Sequence, residues 1–168
     1  MEMVDVVDKN DNIIGFDSKD NCHKLGKWHR CAAVYVIDKD KLYLQTRSDN
    51  KKIDPGLLDH SASGHVRRGE SYEEAAFREL KEELGIVAPI AFVGKAKQNM
   101  KFNGFIERQL FEIFICKHNG NVVIDKNELK DVKLFSIKQI KKMIAEDKSK
   151  LADGFLKTFE VFSKYIKK

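Results

Sequence analysis

GHVRRGESYEEAAFRELKEELGI, residues 64–86, sets its charged residues at regular intervals. Gly64 is followed after five residues by Glu70, and after seven more by the pair Arg78-Glu79. Leu80 comes next, then Glu82-Glu83 and Gly85-Ile86. Four carboxylates and a guanidinium thus share a loop and the helix behind it. Carboxylates forced together repel one another, and a fold tolerates them mainly where a cation neutralises the cluster. Hard divalent ions take oxygen ligands and bridge readily to phosphates. The spacing therefore points to metal-assisted phosphate chemistry.

Helical geometry gives the same reading. At about 100° per residue, Glu79, Glu82 and Glu83 share one side of the helix as surface neighbours. Tyr72, Ala76, Leu80 and Leu84 form the adjoining apolar arc, which would dock on a core. Arg78 stands four residues before Glu82 and can hold its carboxylate. Gly64 and Gly69 bracket a loop that must approach the site closely, and Gly85 suits the position after a helix end. A Glu-rich helix is ordinarily a solvated face. Seven specified Gly, Glu and Arg positions, however, coincide by chance on the order of 10⁻⁸ per start site.

The run resembles the Nudix box, GX5EX7REUXEEXGU with U aliphatic, at every specified position. The resemblance implies an α/β fold, an α/β/α sandwich with a mixed sheet and a loop-helix-loop catalytic motif. It implies a magnesium- or manganese-dependent hydrolase that cuts a diphosphate bond in a nucleoside diphosphate joined to another group. Carried over by position, Glu82 and Glu83 are metal ligands and Glu79 a ligand or general base. Glu70 and Arg78 support them, and the Gly64 carbonyl is a further candidate ligand. The family is commonly dimeric, so a homodimer is compatible with the resemblance.

Outward from the box, Arg47, Lys51 and Lys52 precede Pro55-Gly56 on a loop leading towards it. Arginine makes forked contacts to phosphate oxygens and lysine supplies a point charge. This segment, with Gly64-His65, resembles type 1 isopentenyl diphosphate isomerases, which share the Nudix fold. That resemblance implies diphosphate contacts from Arg47 and the lysines, and a second metal held by counterparts of His23, His29, His65 and Glu107. The histidine spacing is one residue short at His23. Two departures weigh against isomerisation: Ser63 stands where the isomerases place a catalytic cysteine, and Gln109 where they place a second acidic ligand. The box is also intact here and degraded there. A serine hydroxyl substitutes poorly for a thiol in moving protons at an alkene carbon. The reading is isomerase-like architecture with hydrolase chemistry, the isomerase being the alternative. Glu128 is a weaker candidate for assisting the site, and Trp28 for covering it.

Bulk properties set the limits. The 168 residues suit one domain, 1–168, with a real core. No apolar run approaches a membrane span, and the first residues lack signal-peptide order. Three widely spaced cysteines form no disulfide framework, which fits the cytoplasm. The net charge of +5 is uneven: residues 126–168 hold 12 lysines against 6 acids, while residues 1–125 are nearly balanced. Such a tail can attract nucleic acid, which motivates a third reading, a non-catalytic nucleotide- or RNA-binding module. The lysines alternate with acids on exposed helix faces, without stacking aromatics, so a solvated surface is favoured and the expected partner is a small diphosphate.

Alternation and turn residues predict a β-hairpin at about 3–17, an irregular segment at 18–29, and strands at 31–37 and 42–47. After the box helix come strands at 90–97, 104–116, 122–124 and 132–135. A Ser136-capped helix at 136–146 and a last helix at 154–166 close the chain.

Overall fold

In the computed structural model, which describes residues 1–167, strand β3 (His29–Asp38) is the spine. The chain reaches it through β1 (Met3–Val7), β2 (Ile13–Ser18) and helix α1 (Lys19–Leu25). It continues through β4 (Lys41–Arg47), β5 (Leu58–Asp59), β6 (Ala62–His65), α2 (Tyr72–Leu84), β7 (Ile90–Phe102) and β8 (Phe105–Lys117). It ends with β9 (Leu129–Ser136), α3 (Ile137–Asp147), a single 3-10 turn and α4 (Asp153–Tyr165). One edge of β3 carries β8 in parallel over nine residue pairs, from His29↔Gln109 to Ile37↔Lys117. The other carries β6 and then β4, both antiparallel. The sheet is mixed.

Alternation along β3 divides the core. Ala32, Val34 and Val36 face α2, where they meet Ala75, Ala76, Leu80 and Leu84. Tyr35 faces the opposite layer, packing with Ile140, Phe155, Phe159 and Phe162 from α3 and α4. Period-2 alternation in a strand covered on both faces produces this α/β/α arrangement. Tyr35 stacks on Phe162 with centroids 4.4 Å apart, and its hydroxyl shares a hydrogen bond with Thr158 Oγ1 at 2.8 Å.

Local chemistry sets the element ends. Ser71 and Glu74 close a capping box on α2, and Gly85 takes the left-handed conformation after it at φ 66°. Ser136 caps α3 in the same way with Gln139. Asn103 and Gly104, at φ 45° and 83°, turn β7 into β8, as a two-residue hairpin requires.

The structure corrects several expectations. Residues 18–29 are not irregular: Ser18 accepts a hydrogen bond from Asn21 N, Gly26 ends the turn at φ 64°, and α1 lies between them. Residues 122–124 form no strand. Their N–H groups instead serve the open end of α2, Val123 donating to Leu84 O and Asp125 to Glu83 O. Gly64 lies on β6 rather than in a loop. β7, expected to end at residue 97, continues to Phe102 because its pairing with β8 runs to the turn, while β8 lies within one residue of its expected bounds. No helix among the described residues is long and apolar enough to cross a membrane.

Phe162 is fully buried at the centre of the second layer. Phe162→Ala should cost about 3–5 kcal/mol, read as a lower denaturant midpoint with an unchanged slope.

Candidate active site

A cleft of about 960 Å³ opens across the ends of β3, β6 and β8 and the face of α2. Glu79, Glu82, Glu83, Gly64, His23, His65 and Glu107 line it, with Arg47, Lys51 and Lys52. Nearly every residue singled out in the sequence therefore converges here from separate elements. Glu70, Arg78 and His29 stand immediately behind the lining.

Helix α2 supplies one half. Leu80 and Leu84 are fully buried and lock its rotation, which turns Glu79 and Glu83 inward. The Glu79 carboxylate lies directly over Gly64, where any Cβ would collide with it. This explains the glycine by space rather than by backbone angle. Arg78 ties the assembly together: it donates to Glu70 at 2.8 and 2.9 Å, to the His65 carbonyl at 2.9 Å, to Glu82 at 3.3 Å, and to Glu79. Glu83 accepts hydrogen bonds from Ser63 N at 3.0 Å and Gln45 Nε2 at 3.2 Å. Glu82 differs from its two neighbours, with half its side chain exposed.

The electrostatics are those of a crowded acidic pocket. Burial pushes the Glu79 carboxyl up to about 7, against the pull of Arg78. Burial, reinforced by Glu79, raises the Glu83 carboxyl well above its ordinary range. Glu70 is held low, because its hydrogen bonds from Arg78 and Arg67 N outweigh burial. Neighbouring carboxyls whose protons are held on by burial and by nearby acids are the arrangement a divalent cation relieves.

Three histidines from α1, β3 and β6 supply the other half. Ligand atoms of His23, His29 and His65 lie within 4.8 Å of one another. His29 Nδ1 sits 2.9 Å from the Lys27 carbonyl, which leaves its buried Nε2 without a partner and facing the cluster. Anchoring one ring nitrogen on a carbonyl while freeing the other is how proteins prepare a metal ligand. Burial lowers the His29 pKa to about 4 and His65 well below its ordinary value, so both present lone pairs at neutral pH. Glu107 Oε1 stands 2.6 Å from His23 Nδ1 without hydrogen-bond geometry, and both atoms remain unpartnered. Both donor sets fit divalent ions. The carboxylates suit magnesium or manganese, and the imidazole-rich set suits a softer transition ion.

Other placements differ from expectation. Glu107 pairs with Met100 of β7, lies two residues before the pairing of β8 with β3 begins at Gln109, and is only 5% exposed. Arg47 is not a free loop cation. It ends β4, where Asp59 takes its Nη1 at 2.7 Å and the Ile53 carbonyl takes its other nitrogens. Lys51 is paired with Glu128, and exposed Lys52 stands 3.6 Å from Asp20 at the rim. Trp28 is not among the residues lining the cleft, and no lysine beyond residue 125 lines it. Sequence reasoning missed Glu2, Lys19, Asp59, His60 and Gln98, which do line it. The adjacent Asp59-His60 pair was the one visible signal among them. Gln98 arrives through the pairing of β7 with β8, Lys19 heads α1, and Glu2 precedes β1.

Residues 27–155 match the NUDIX domain. The chain belongs to the Nudix family. It is 34% identical over 145 residues to isopentenyl-diphosphate Delta-isomerase 2 of Photorhabdus laumondii, covering 85% of this chain and 82% of that protein. It is 31% identical over 128 residues to an uncharacterized Nudix hydrolase of Clostridium acetobutylicum, covering 72% and 62% respectively. Among solved structures, DR0079 of Deinococcus radiodurans superimposes with a TM-score of 0.79 at 20% identity, covering 98% of this chain and 99% of that one. The NUDIX domain of Shewanella oneidensis NrtR, complexed with ADP ribose, gives 0.62 at 19% identity, covering 83% and 87%. These two likenesses speak for the Nudix fold.

Because the Glu79 carboxylate occupies the space beside Gly64, Gly64→Ala should displace it without removing a charge. A manganese titration followed by electron paramagnetic resonance should show affinity lowered by roughly 10- to 100-fold, with the circular dichroism spectrum retained.

Proposed function

We propose that this Nudix protein is a divalent-metal-dependent pyrophosphohydrolase acting on a nucleoside diphosphate-type substrate. The observation that carries this reading is the complete carboxylate set: Glu79 seated on Gly64 and Glu82 at the rim, both held by Arg78, and Glu83 held by Ser63 N and Gln45. Glu82, Glu83 and the Gly64 carbonyl would hold magnesium or manganese, with Glu79 as ligand or base. When bound, the cation withdraws charge from phosphate oxygens and lowers the pKa of bound water.

The chain's own residues do the rest. Glu79 takes the proton of the attacking water on its carboxylate, and burial makes it a stronger base than an exposed glutamate. Arg78 and Glu70 keep that carboxylate in place. Lys51 exchanges Glu128 for a phosphate oxygen, and Lys52 adds charge at the rim. Arg47, fixed by Asp59, contributes through its positive field more than through a free fork. In the presence of magnesium, Glu79→Gln should lower kcat by roughly 10²- to 10⁴-fold on a cleaved nucleoside diphosphate derivative. Undiminished turnover by Glu79→Gln, Glu82→Gln and Glu83→Gln alike would remove the assignment.

One observation favours a second reading, isopentenyl diphosphate isomerisation: the cluster of His23, His29 and His65 beside Glu107. Ser63 and Gln109 oppose it, since neither supplies a thiol or an acid at its position. Isopentenyl diphosphate incubated in heavy water should therefore take up no deuterium by nuclear magnetic resonance. Uptake at a catalytic rate would make the chain an isomerase.

A further inference from the structure

Gln98 borders the cleft with a side-chain amide that bonds to no protein group among the described residues. It lies on β7 directly opposite Gln109 of β8, lines the cleft and is 3% exposed. Gln109 places its Nε2 3.4 Å from His65 Nε2, which ties it to the histidine cluster. His60, on the same wall, is engaged with Thr158 at 2.5 Å. Gln98 makes no side-chain hydrogen bond among the described residues, although an amide carries two donors and an accepting oxygen. Its surroundings hold it in place: a Cβ built at Gly154 would lie 3.1 Å from its Oε1 and 3.4 Å from the Phe111 ring.

An amide open to the cleft takes its partner there, and covering it with hydrocarbon would forfeit its hydration without return. Gln98 stands one strand, about 4.8 Å, beyond Gln109 and the histidines. β3 and β8 separate it from β6 and α2, so a ligand whose diphosphate sat at the α2 carboxylates would reach it through the attached group. Beside it, Phe111 offers an aromatic surface.

Resting on the hydrolase reading above, we propose that Gln98 is the specificity-determining residue of this cleft. Its amide pairs with a hydrogen-bonding group, a base edge or a sugar, attached to the diphosphate. A prenyl chain in the same place would strand it, so the residue selects against hydrocarbon diphosphates.

Calorimetry in magnesium with three non-cleavable probes tests this. They are methylenediphosphonate as the bare head group, α,β-methylene-ADP as the polar form and geranyl methylenediphosphonate as the hydrocarbon form. The wild-type chain should bind the nucleotide more tightly than the geranyl compound, by on the order of 10-fold or more. Gln98→Leu should lower nucleotide affinity by roughly 10- to 100-fold, raise geranyl affinity, and leave methylenediphosphonate binding unchanged. Gln98→Met, unbranched and of similar length, repeats the test if leucine disturbs the pairing of β7 and β8. A wild-type preference for the geranyl probe, or a preference unmoved in both variants, overturns the role of Gln98 alone. Failure of the wild-type chain to bind methylenediphosphonate overturns the hydrolase reading, and this inference falls with it.

Discussion

The Glu79 carboxylate resting on Gly64 is the contact around which the site is organised. It brings a carboxylate of α2 against the backbone of β6, and it does so only because position 64 has no side chain. Arg78 makes the arrangement tolerable by answering three carboxylates and a main-chain carbonyl with one guanidinium. Behind it, Leu80 and Leu84 each gain about 1.5–3 kcal/mol from burial, and they prevent the helix from rolling its acids outward. An acidic site of this kind opposes folding, and the apolar arc on the same helix offsets that cost.

Two donor sets of different chemistry meet in one cleft. The carboxylate set comes almost entirely from one helix, so its geometry follows from helical periodicity. The imidazole set is assembled from α1, β3 and β6, with Glu107 added from β8. Burial favours the neutral form in both sets, by raising the carboxyl pKa values and lowering those of the imidazoles. It pushes Glu79 and Glu83 towards their neutral, proton-bound forms and His29 and His65 towards their neutral, ligand-ready forms. A divalent cation resolves the first and is coordinated by the second. Relatives named as isomerases and as hydrolases both match most of this chain.

Parts of the molecule were legible from local patterns. The box helix, the Ser136-capped helix and the hairpin turn at Asn103-Gly104 carry their own capping and turn chemistry, which acts over three or four residues. Helix α1 was missed because its seven residues show little apolar periodicity, although Ser18 and Gly26 punctuate it. Val122–Ile124 looked like a strand because a short apolar run is ambiguous. Its partner proved to be the open end of a helix.

The sequence by itself determined the carboxylate face, because i, i+3 and i+4 spacing on a helix needs no information from elsewhere in the chain. It also supplied the glycine on which that face closes and the cationic residues that answer it. Only the tertiary structure decided that Arg47 is held by Asp59, that Glu107 is buried beside His23, and that Gln98 faces the cleft unpaired. Those outcomes depend on which strands become neighbours, and strand pairing joins residues tens of positions apart through contacts that no local spacing encodes.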